Sequence, residues 1–328
     1  MNTWSSIARQ RLPFFCERAR EPASGEGLAP IHRGARALTT TSVSWLGRRV
    51  IAYAHQGGAW EAPPSTLYAI RNALAAGATA IELDVHATAD GHLVVSHDTS
   101  VDRTTNGSGE IATMPLAEVQ KLDNAYWWVP GSDVDHDQPP ASYSFRGRAP
   151  DDPDFRIATL DEVLEQFPEV ILNLDIKRTV PTVAPYEEAL AATLRRFGRR
   201  DDVIVASFLD AATNAFSTYA PEIATSAGTQ SVAAFHQSVV AGETPAHLRH
   251  VALQVPRRVG ELEIVNEAFI EAAHRAGVAV HVWTVDEERD MVDLIELGVD
   301  GIITDLPTEL DAVLRQYKAK WIPTKGGV

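Results

Sequence analysis

The chain has 328 residues, 45% of them hydrophobic and 22% charged, with 29 Lys and Arg against 44 Asp and Glu for a formal charge of -15 at pH 7. That length supports one large domain with a full core. The acidic balance argues against nucleic acid as a partner and against simple electrostatic docking on anionic membranes. The single cysteine, Cys16, excludes an intrachain disulfide framework and a cysteine-built zinc cluster.

Residues 1–49 are rich in Arg, Ser, Thr and Gly and lack a repeating apolar face beyond Leu12-Pro13-Phe14-Phe15. No apolar core of the about 7–15 residues required by a secretory signal is present. No apolar run approaches the roughly 20 residues that cross a bilayer. The expectation is a flexible N-terminal extension on a cytoplasmic protein, with peripheral membrane contact left open.

From Val50 onward strand and helix patterns alternate. Val50-Ile51-Ala52-Tyr53-Ala54 reads as a strand that stops at His55-Gln56-Gly57-Gly58. Leu67, Ile70, Ala73 and Leu74 then recur at helical spacing within Ser65–Gly77, which ends on a glycine terminator. Ala80-Ile81-Glu82-Leu83-Asp84-Val85 reads as a second strand, whose alternation puts Glu82 and Asp84 on one face. Asp90-Gly91 marks a tight turn, from which Leu93-Val94-Val95-Ser96 leads into His97-Asp98. A third strand, Val170–Leu174, runs into Asp175-Ile176-Lys177. Further strand-like runs lie at Val203–Phe208, Glu222–Ala227, His250–Val255, Val278–Val285 and Gly301–Thr304. Helical patterns at Leu160–Phe167, Tyr186–Phe197, Val265–Arg275 and Glu287–Leu297 separate several of these. Eight strands alternating with helices over roughly 250 residues predict a (β/α)8 TIM barrel spanning 50–328. The alternative, an open doubly wound sheet, would show a richer phosphate loop than Gly57-Gly58.

Residues 123–154 interrupt the alternation, with Tyr126-Trp127-Trp128, Tyr143 and Phe145 set among Pro, Gly and Asp. The expectation is a small aromatic-rich insertion after the second strand, leaving from the carboxyl-terminal face of the barrel. It either overhangs the site to meet the non-phosphate part of a substrate or packs as an aromatic mini-core. Asp133-Val134-Asp135-His136-Asp137 lacks the Gly and terminal Glu of a calcium loop and reads as an acidic turn.

Two neighbouring carboxylates repel unless a cation or proton separates them, so Glu82 and Asp84 suggest a divalent ion with His55 and His97 as proton carriers. His55, Glu61, Gly77-Ala78, Glu82, Asp84, Asp90-Gly91, His97-Asp98 and Arg103-Thr104-Thr105 fall in the order and spacing of the glycerophosphodiester phosphodiesterase family. The resemblance continues through Asn173-Leu174-Asp175-Ile176-Lys177, Val205-Ala206-Ser207-Phe208, Val282-Trp283-Thr284-Val285 and Gly298–Asp305. It covers nearly everything from Val50 to about Tyr317.

This resemblance implies His55 and His97 as acid and base, and Glu82, Asp84 and Asp175 as ligands of one divalent cation. Oxygen donors favour Mg²⁺ or Ca²⁺. Asp175 stands where the family more often has Glu, and related sphingomyelinase D-like phospholipases tolerate Asp there. Lys177 is expected to contact the phosphate, and Trp283 to line the barrel mouth. Gln56 replaces the usual Arg and brings donors without charge. Glu61 resembles a variant of the opening motif and is expected to orient His55 or the ligands, or to be a plain loop carboxylate. The commoner Pro-Glu-Asn-Thr is reduced to Pro63-Pro64-Ser65-Thr66. Asp305 is expected to bond backbone or cap the next helix, and His86, His92, His236 and His281 to be surface or packing residues. His32-Arg33-Gly34 mimics the opening motif, but no strand precedes it and no carboxylate pair follows.

The implied reaction is metal-dependent hydrolysis of a glycerophosphodiester to sn-glycerol 3-phosphate and an alcohol. The alternatives are a lysophospholipase D-type cleavage of lysophospholipids and a non-catalytic phospholipid-binding homologue. The oligomeric state is not legible in the sequence.

Overall fold

The structure, a computed structural model, describes residues 45–46, 50–132, 134–177 and 183–320, all within one unit spanning Val43–Val328. The expected N-terminal extension lies outside the described residues except at its last turn. There Trp45, 7% exposed, packs with Ile51, Tyr53, Ala80, Ile171, Ile204, Ala252, Ala279 and Ile303.

In chain order the regular elements are β1 (Ile51–His55), α1 (Leu67–Ala76), β2 (Ala80–Ala87), β3 (Leu93–Val95), α2 (Leu116–Val119), α3 (Leu160–Gln166), β4 (Ile171–Ile176) and α4 (Glu187–Arg196). They continue with β5 (Val203–Ala206), α5 (Asp210–Tyr219), β6 (Ala224–Thr225), α6 (Thr229–Val240), β7 (Ala252–Pro256), β8 (Arg258–Val259), β9 (Leu262–Glu263) and α7 (Glu267–Arg275). The last are β10 (Ala279–Trp283), α8 (Glu288–Leu297), β11 (Gly301–Thr304) and α9 (Pro307–Tyr317). Three short 3₁₀ turns, at Ile111–Thr113, Pro140–Ser142 and Pro153–Phe155, lie between β3 and α3.

Parallel pairing runs β6-β5-β4-β2-β1-β11-β10-β7, with β3 added antiparallel to β2. A parallel bridge between Ser226 and Ala252 joins the two ends of that order, and Ala227 N donates to Ala252 O. The result is a nearly closed barrel of eight parallel strands, the TIM barrel expected from the alternation. Several strands are shorter than their apolar runs. Of the run Glu222–Ala227 only Ala224–Thr225 forms a regular strand, with Ser226 adding the isolated bridge to Ala252, and the run Val203–Phe208 is strand only to Ala206. α5, α6 and α9 and the small β8–β9 hairpin complete the set.

Strand alternation divides the core in two. Outward residues such as Ile81, Leu83, Val85, Leu172, Leu174 and Val205 pack against Leu67, Ile70, Leu160, Leu164, Leu190 and Phe216 of the helices. Inward residues near the strand starts make the apolar barrel floor that includes Trp45. Inward residues near the strand ends are polar and carry the chemistry.

α1 begins two residues later than its pattern. Thr66 is the N-cap: its Oγ1 accepts from Ala69 N at 3.0 Å and donates to Pro63 O at 2.7 Å. Gly57 and Gly58, at φ +84° and +90°, turn the chain out of β1 where a Cβ would fall 2.8 Å from Ala69 Cβ and from the Pro307 ring. Among the described residues no helix is long and apolar enough to cross a membrane.

Candidate active site

The mouth of the barrel is built by register. Parallel pairing sets His55 of β1 beside Glu82 of β2, and Asp84 of β2 beside Asp175 of β4. All lie on the inward face, above Asn173, Gln254 and His281, where Gln254 Nε2 donates to Asn173 Oδ1 at 3.1 Å. Asp84 and Asp175, 91 positions apart, therefore become neighbours because β2 and β4 are adjacent.

Glu82, Asp84 and Asp175 are 6%, 1% and 6% exposed. Lys177 Nζ lies 3.1 Å from Asp84 Oδ1 and 3.5 Å from Asp175 Oδ2. Burial opposes its ammonium, but Asp84, Asp175 and Glu82 together hold its pKa well above the ordinary value. One lysine does not neutralise three carboxylates. Burial and the adjacent Asp84 charge push Glu82 up to about 8, and burial pushes Asp175 up to about 6 against the pull of Lys177. Asp84 Oδ2 and Asp175 Oδ1 are buried and without a hydrogen-bond partner among the described residues.

As the side chains stand, no group of three or more His, Cys, Asp or Glu among the described residues is arranged to hold a metal ion. Lys177 holds the position between Asp84 and Asp175. The donor set nonetheless suits a hard cation: it is all oxygen, buried, under-neutralised, and has two oxygens with nothing to accept from.

The two imidazoles face each other edge to face, with centroids 6.0 Å apart. His55 Nδ1 donates to Asp305 Oδ1 at 2.7 Å, and its Nε2 lies 3.9 Å from Glu82 Oε2. Burial disfavours the His55 imidazolium, but the Asp305 hydrogen bond and the charges of Glu82, Asp305 and Asp84 outweigh it and push the pKa up to about 9. His97 Nδ1 donates to Asp98 Oδ1 at 2.7 Å, and Asp98 Oδ2 accepts from Arg103 Nε at 2.6 Å. Burial of Asp98 is outweighed by His97 and Arg103, which keep its carboxyl far below the usual range. Each histidine thus has one nitrogen fixed by a carboxylate and the other turned away from it, the arrangement required of an oriented proton carrier.

Gln56 adopts φ +51°, bending the chain directly after His55 so that its own N–H donates to Glu82 Oε2 at 3.3 Å. Its Nε2 lies 3.1 Å from His55 Nε2, while Oε1 is buried without a partner among the described residues. Trp283 ends β10 at the mouth, in edge-to-face contact with Phe208 at 5.5 Å.

Glu61 is a correction. Its carboxylate accepts from Thr308 N at 2.9 Å and from Thr308 Oγ1 at 2.6 Å, so it ties the loop after β1 to the start of α9 and orients neither His55 nor a ligand. Asp305 is a second correction. Leu306 is the N-cap of α9, and Asp305 turns its side chain to His55. Barrel closure places the end of β11 beside the end of β1, and only that adjacency marks the residue. Asp286, after β10, supports it from behind: its Oδ1 accepts from Asp305 N at 2.7 Å and Thr304 Oγ1 at 3.0 Å. His86 is a packing residue as expected, but of the site wall: it lies on the same face as Asp84, 6% exposed, with a hydrogen bond to the His97 backbone. Of the other three, His92 is exposed, whereas His236 and His281 are buried packing residues.

The aromatic insertion is chiefly a mini-core. The Arg146 guanidinium sits 4.3, 4.5 and 3.6 Å from the ring centroids of Tyr126, Trp127 and Tyr143. Phe155 stacks on Tyr68 of α1, Phe145 meets the same ring at a tilt of 52°, and Trp128 Nε1 donates to Ala59 O at 2.7 Å. His136 stacks on Trp127 and contacts Arg103 O at 2.8 Å, so the insertion braces the Arg103–Asp98–His97 chain.

A family model described as the glycerophosphoryl diester phosphodiesterase family matches residues 55–309. The chain is 31% identical to a glycerophosphodiester phosphodiesterase of Caldanaerobacter subterraneus subsp. tengcongensis, over 82% of this chain and 99% of the relative. Its fold is similar to the crystal structure of a glycerophosphodiester phosphodiesterase from Agrobacterium tumefaciens, with a TM-score of 0.59 and 25% identity over 80% of this chain and 99% of the other. It is also similar to a phosphodiesterase of Oleispira antarctica in complex with the product sn-glycerol-3-phosphate, with a TM-score of 0.60 and 23% identity over 81% and 97% of the two chains.

Proposed function

This chain belongs to the glycerophosphoryl diester phosphodiesterase family and is a phosphoric diester hydrolase, and from that premise we propose that it cleaves a glycerophosphodiester to sn-glycerol 3-phosphate and an alcohol. The observation that carries this reading is the pair of carboxylate-held imidazoles facing each other beside a buried, under-neutralised carboxylate cluster. The product bound to the Oleispira antarctica protein supports the choice of product.

Glu82, Asp84 and Asp175 would hold a divalent cation, Mg²⁺ or Ca²⁺, which when bound supplies positive charge to the phosphate oxygens. Lys177 and the Gln56 amide add donors toward the same oxygens. His55, favoured in its protonated form by Asp305 and Glu82, gives a proton to the departing alcohol oxygen as its bond to phosphorus breaks. His97 takes the proton from the attacking water as the new P–O bond forms. Two such groups contribute roughly 5–11 kcal/mol of the about 8–23 kcal/mol by which enzymes lower barriers. The rest falls to positioning and charge stabilisation above the buried carboxylates. The insertion's rings are committed to their own core, so a short diester is favoured over a lysophospholipid.

The test is choline release from glycerophosphocholine and from lysophosphatidylcholine, with added Mg²⁺ or Ca²⁺ and with chelator. Chelator-sensitive release from the short substrate is expected. Release only from the lipid would replace this reading with lysophospholipase D-type cleavage, and chelator-insensitive release would remove the cation.

A further inference from the structure

The aromatic insertion holds the turn that carries Arg103 at four consecutive residues. His136 Nε2 donates to Arg103 O at 2.8 Å, and Thr104 Oγ1 donates to Asn124 Oδ1 at 2.5 Å. Trp127 Nε1 donates to Thr105 O at 2.8 Å, and Asp123 N donates to Asn106 Oδ1 at 3.0 Å. The same piece of chain is fastened to the loop that follows His55. Trp128 Nε1 donates to Ala59 O at 2.7 Å, Gly131 N to Trp60 O at 2.9 Å and Asn124 Nδ2 to Pro64 O at 3.0 Å. Residues 123–136 therefore connect the two loops attached to the facing imidazoles. Pairing of Trp128 with Val134, and a bond from Asp135 N to Trp127 O at 3.1 Å, fold the segment back on itself. Asp135 Oδ1 accepts from Asp137 N at 2.9 Å, so the backbone is fixed on either side of His136. Its ring then lies on Trp127, with centroids 4.4 Å apart and planes 17° from parallel. A carbonyl only accepts, so His136 Nε2 carries the hydrogen of its bond to Arg103 O.

Resting on the proposed diester hydrolysis, we propose that His136 is a positioning residue for His97, acting through Arg103 and Asp98, with Trp127 as the platform beneath it. The two proton carriers are held differently. His55 ends β1 inside the parallel ladder, and its partner Asp305 follows the neighbouring strand. His97 lies two residues past the end of β3, outside the ladder, so its ring direction depends on what holds Nδ1. That holder is Asp98, at 2.7 Å, and Asp98 is held in turn by Arg103 Nε at 2.6 Å. His136 fixes the backbone from which the Arg103 side chain extends. The insertion thereby carries the position of the His55 loop across to the His97 side. His136 is itself exposed, so replacing it leaves the barrel core intact. A reacting group displaced by about 1 Å loses rate out of proportion to any stability lost.

The experiment follows choline release from glycerophosphocholine by the full chain with Mg²⁺ or Ca²⁺, comparing wild type with His136→Phe, His136→Gln and Arg148→Ala. His136→Phe keeps a ring on Trp127 and removes the donor, whereas His136→Gln supplies an N–H again. Arg148→Ala disturbs the insertion where that guanidinium lies over Phe145 and Phe155, away from the Arg103 turn. His136→Phe is expected to lower kcat about tenfold with KM within about twofold of wild type. His136→Gln should recover most of that loss, and Arg148→Ala should leave kcat unchanged. An unchanged kcat in His136→Phe, a loss that His136→Gln does not relieve, or an equal loss in Arg148→Ala overturns the proposal. If the wild type cleaves no diester, the hydrolytic reading fails and low-field proton NMR decides the positioning by itself. The His97 Nδ1–H resonance, identified by its disappearance in His97→Gln, should move in His136→Phe and return in His136→Gln, while that of His55 stays. A His97 resonance that His136→Phe leaves in place overturns the proposal with or without turnover.

Discussion

Replacing Glu82 with Gln should stabilise the cation-free protein while removing the activity. In the folded chain burial and Asp84 raise the Glu82 pKa from 4.5 to about 8. The folded state therefore keeps a proton that the unfolded state has released, and its stability falls as pH rises from about 4.5 to 8. At about 1.4 kcal/mol per unit, that is about 3 kcal/mol at pH 7 and about 5 kcal/mol above pH 8. Loss of the 3.9 Å contact with His55 offsets part of the gain, leaving roughly 2 kcal/mol at pH 7. For a domain of this size that is a rise of about 3–4 °C in melting temperature. Calorimetry in chelator at pH 5, 7 and 8.5 should show the variant and wild type nearly equal at the lowest pH and diverging above it. Added Mg²⁺ or Ca²⁺ should close the gap by stabilising only the wild type. A stability difference that does not change with pH would refute the argument that Glu82 is held against its charge.

Three further changes test separate parts of the site. Asp305→Ala should lower kcat by about 10²–10⁴-fold. It should also move the alkaline limb of the pH–rate profile to lower pH, since the hydrogen bond and charge that raise His55 are gone; an unmoved profile would show that Asp305 does not act through His55. Tyr53→Phe removes a hydroxyl that is fully buried with no partner among the described residues and should raise stability by about 1 kcal/mol. A loss of similar size in urea denaturation would instead reveal a bound internal water. Glu61→Ala should cost about 1 kcal/mol through the lost contacts at the start of α9, with kcat/KM within about twofold of wild type. A large fall in turnover with unchanged stability would return Glu61 to the chemistry.

The alternation of apolar runs, the period-two pattern of Glu82 and Asp84, and the His97-Asp98 pair were all legible because each is a local property of the chain. Strand alternation alone decides which residues face inward, and that needs no knowledge of the neighbours. Strand ends were read less well. Apolar residues such as Val203–Phe208 continue past the last ladder bond, and only packing decides where pairing stops.

What the sequence by itself determined is the set of chemical groups and their order: eight strands, two histidines, three acids and a lysine. The tertiary structure alone decided who meets whom. Closure of the ring brings β11 against β1, which converts Asp305 from a helix-start residue into the partner of His55. Adjacency of β2 and β4 lets Lys177 lie between Asp84 and Asp175. Phe208 and Trp283, from separate strands, touch only because the mouth is round. These are non-local contacts, set by register and closure, and no short window of sequence contains them.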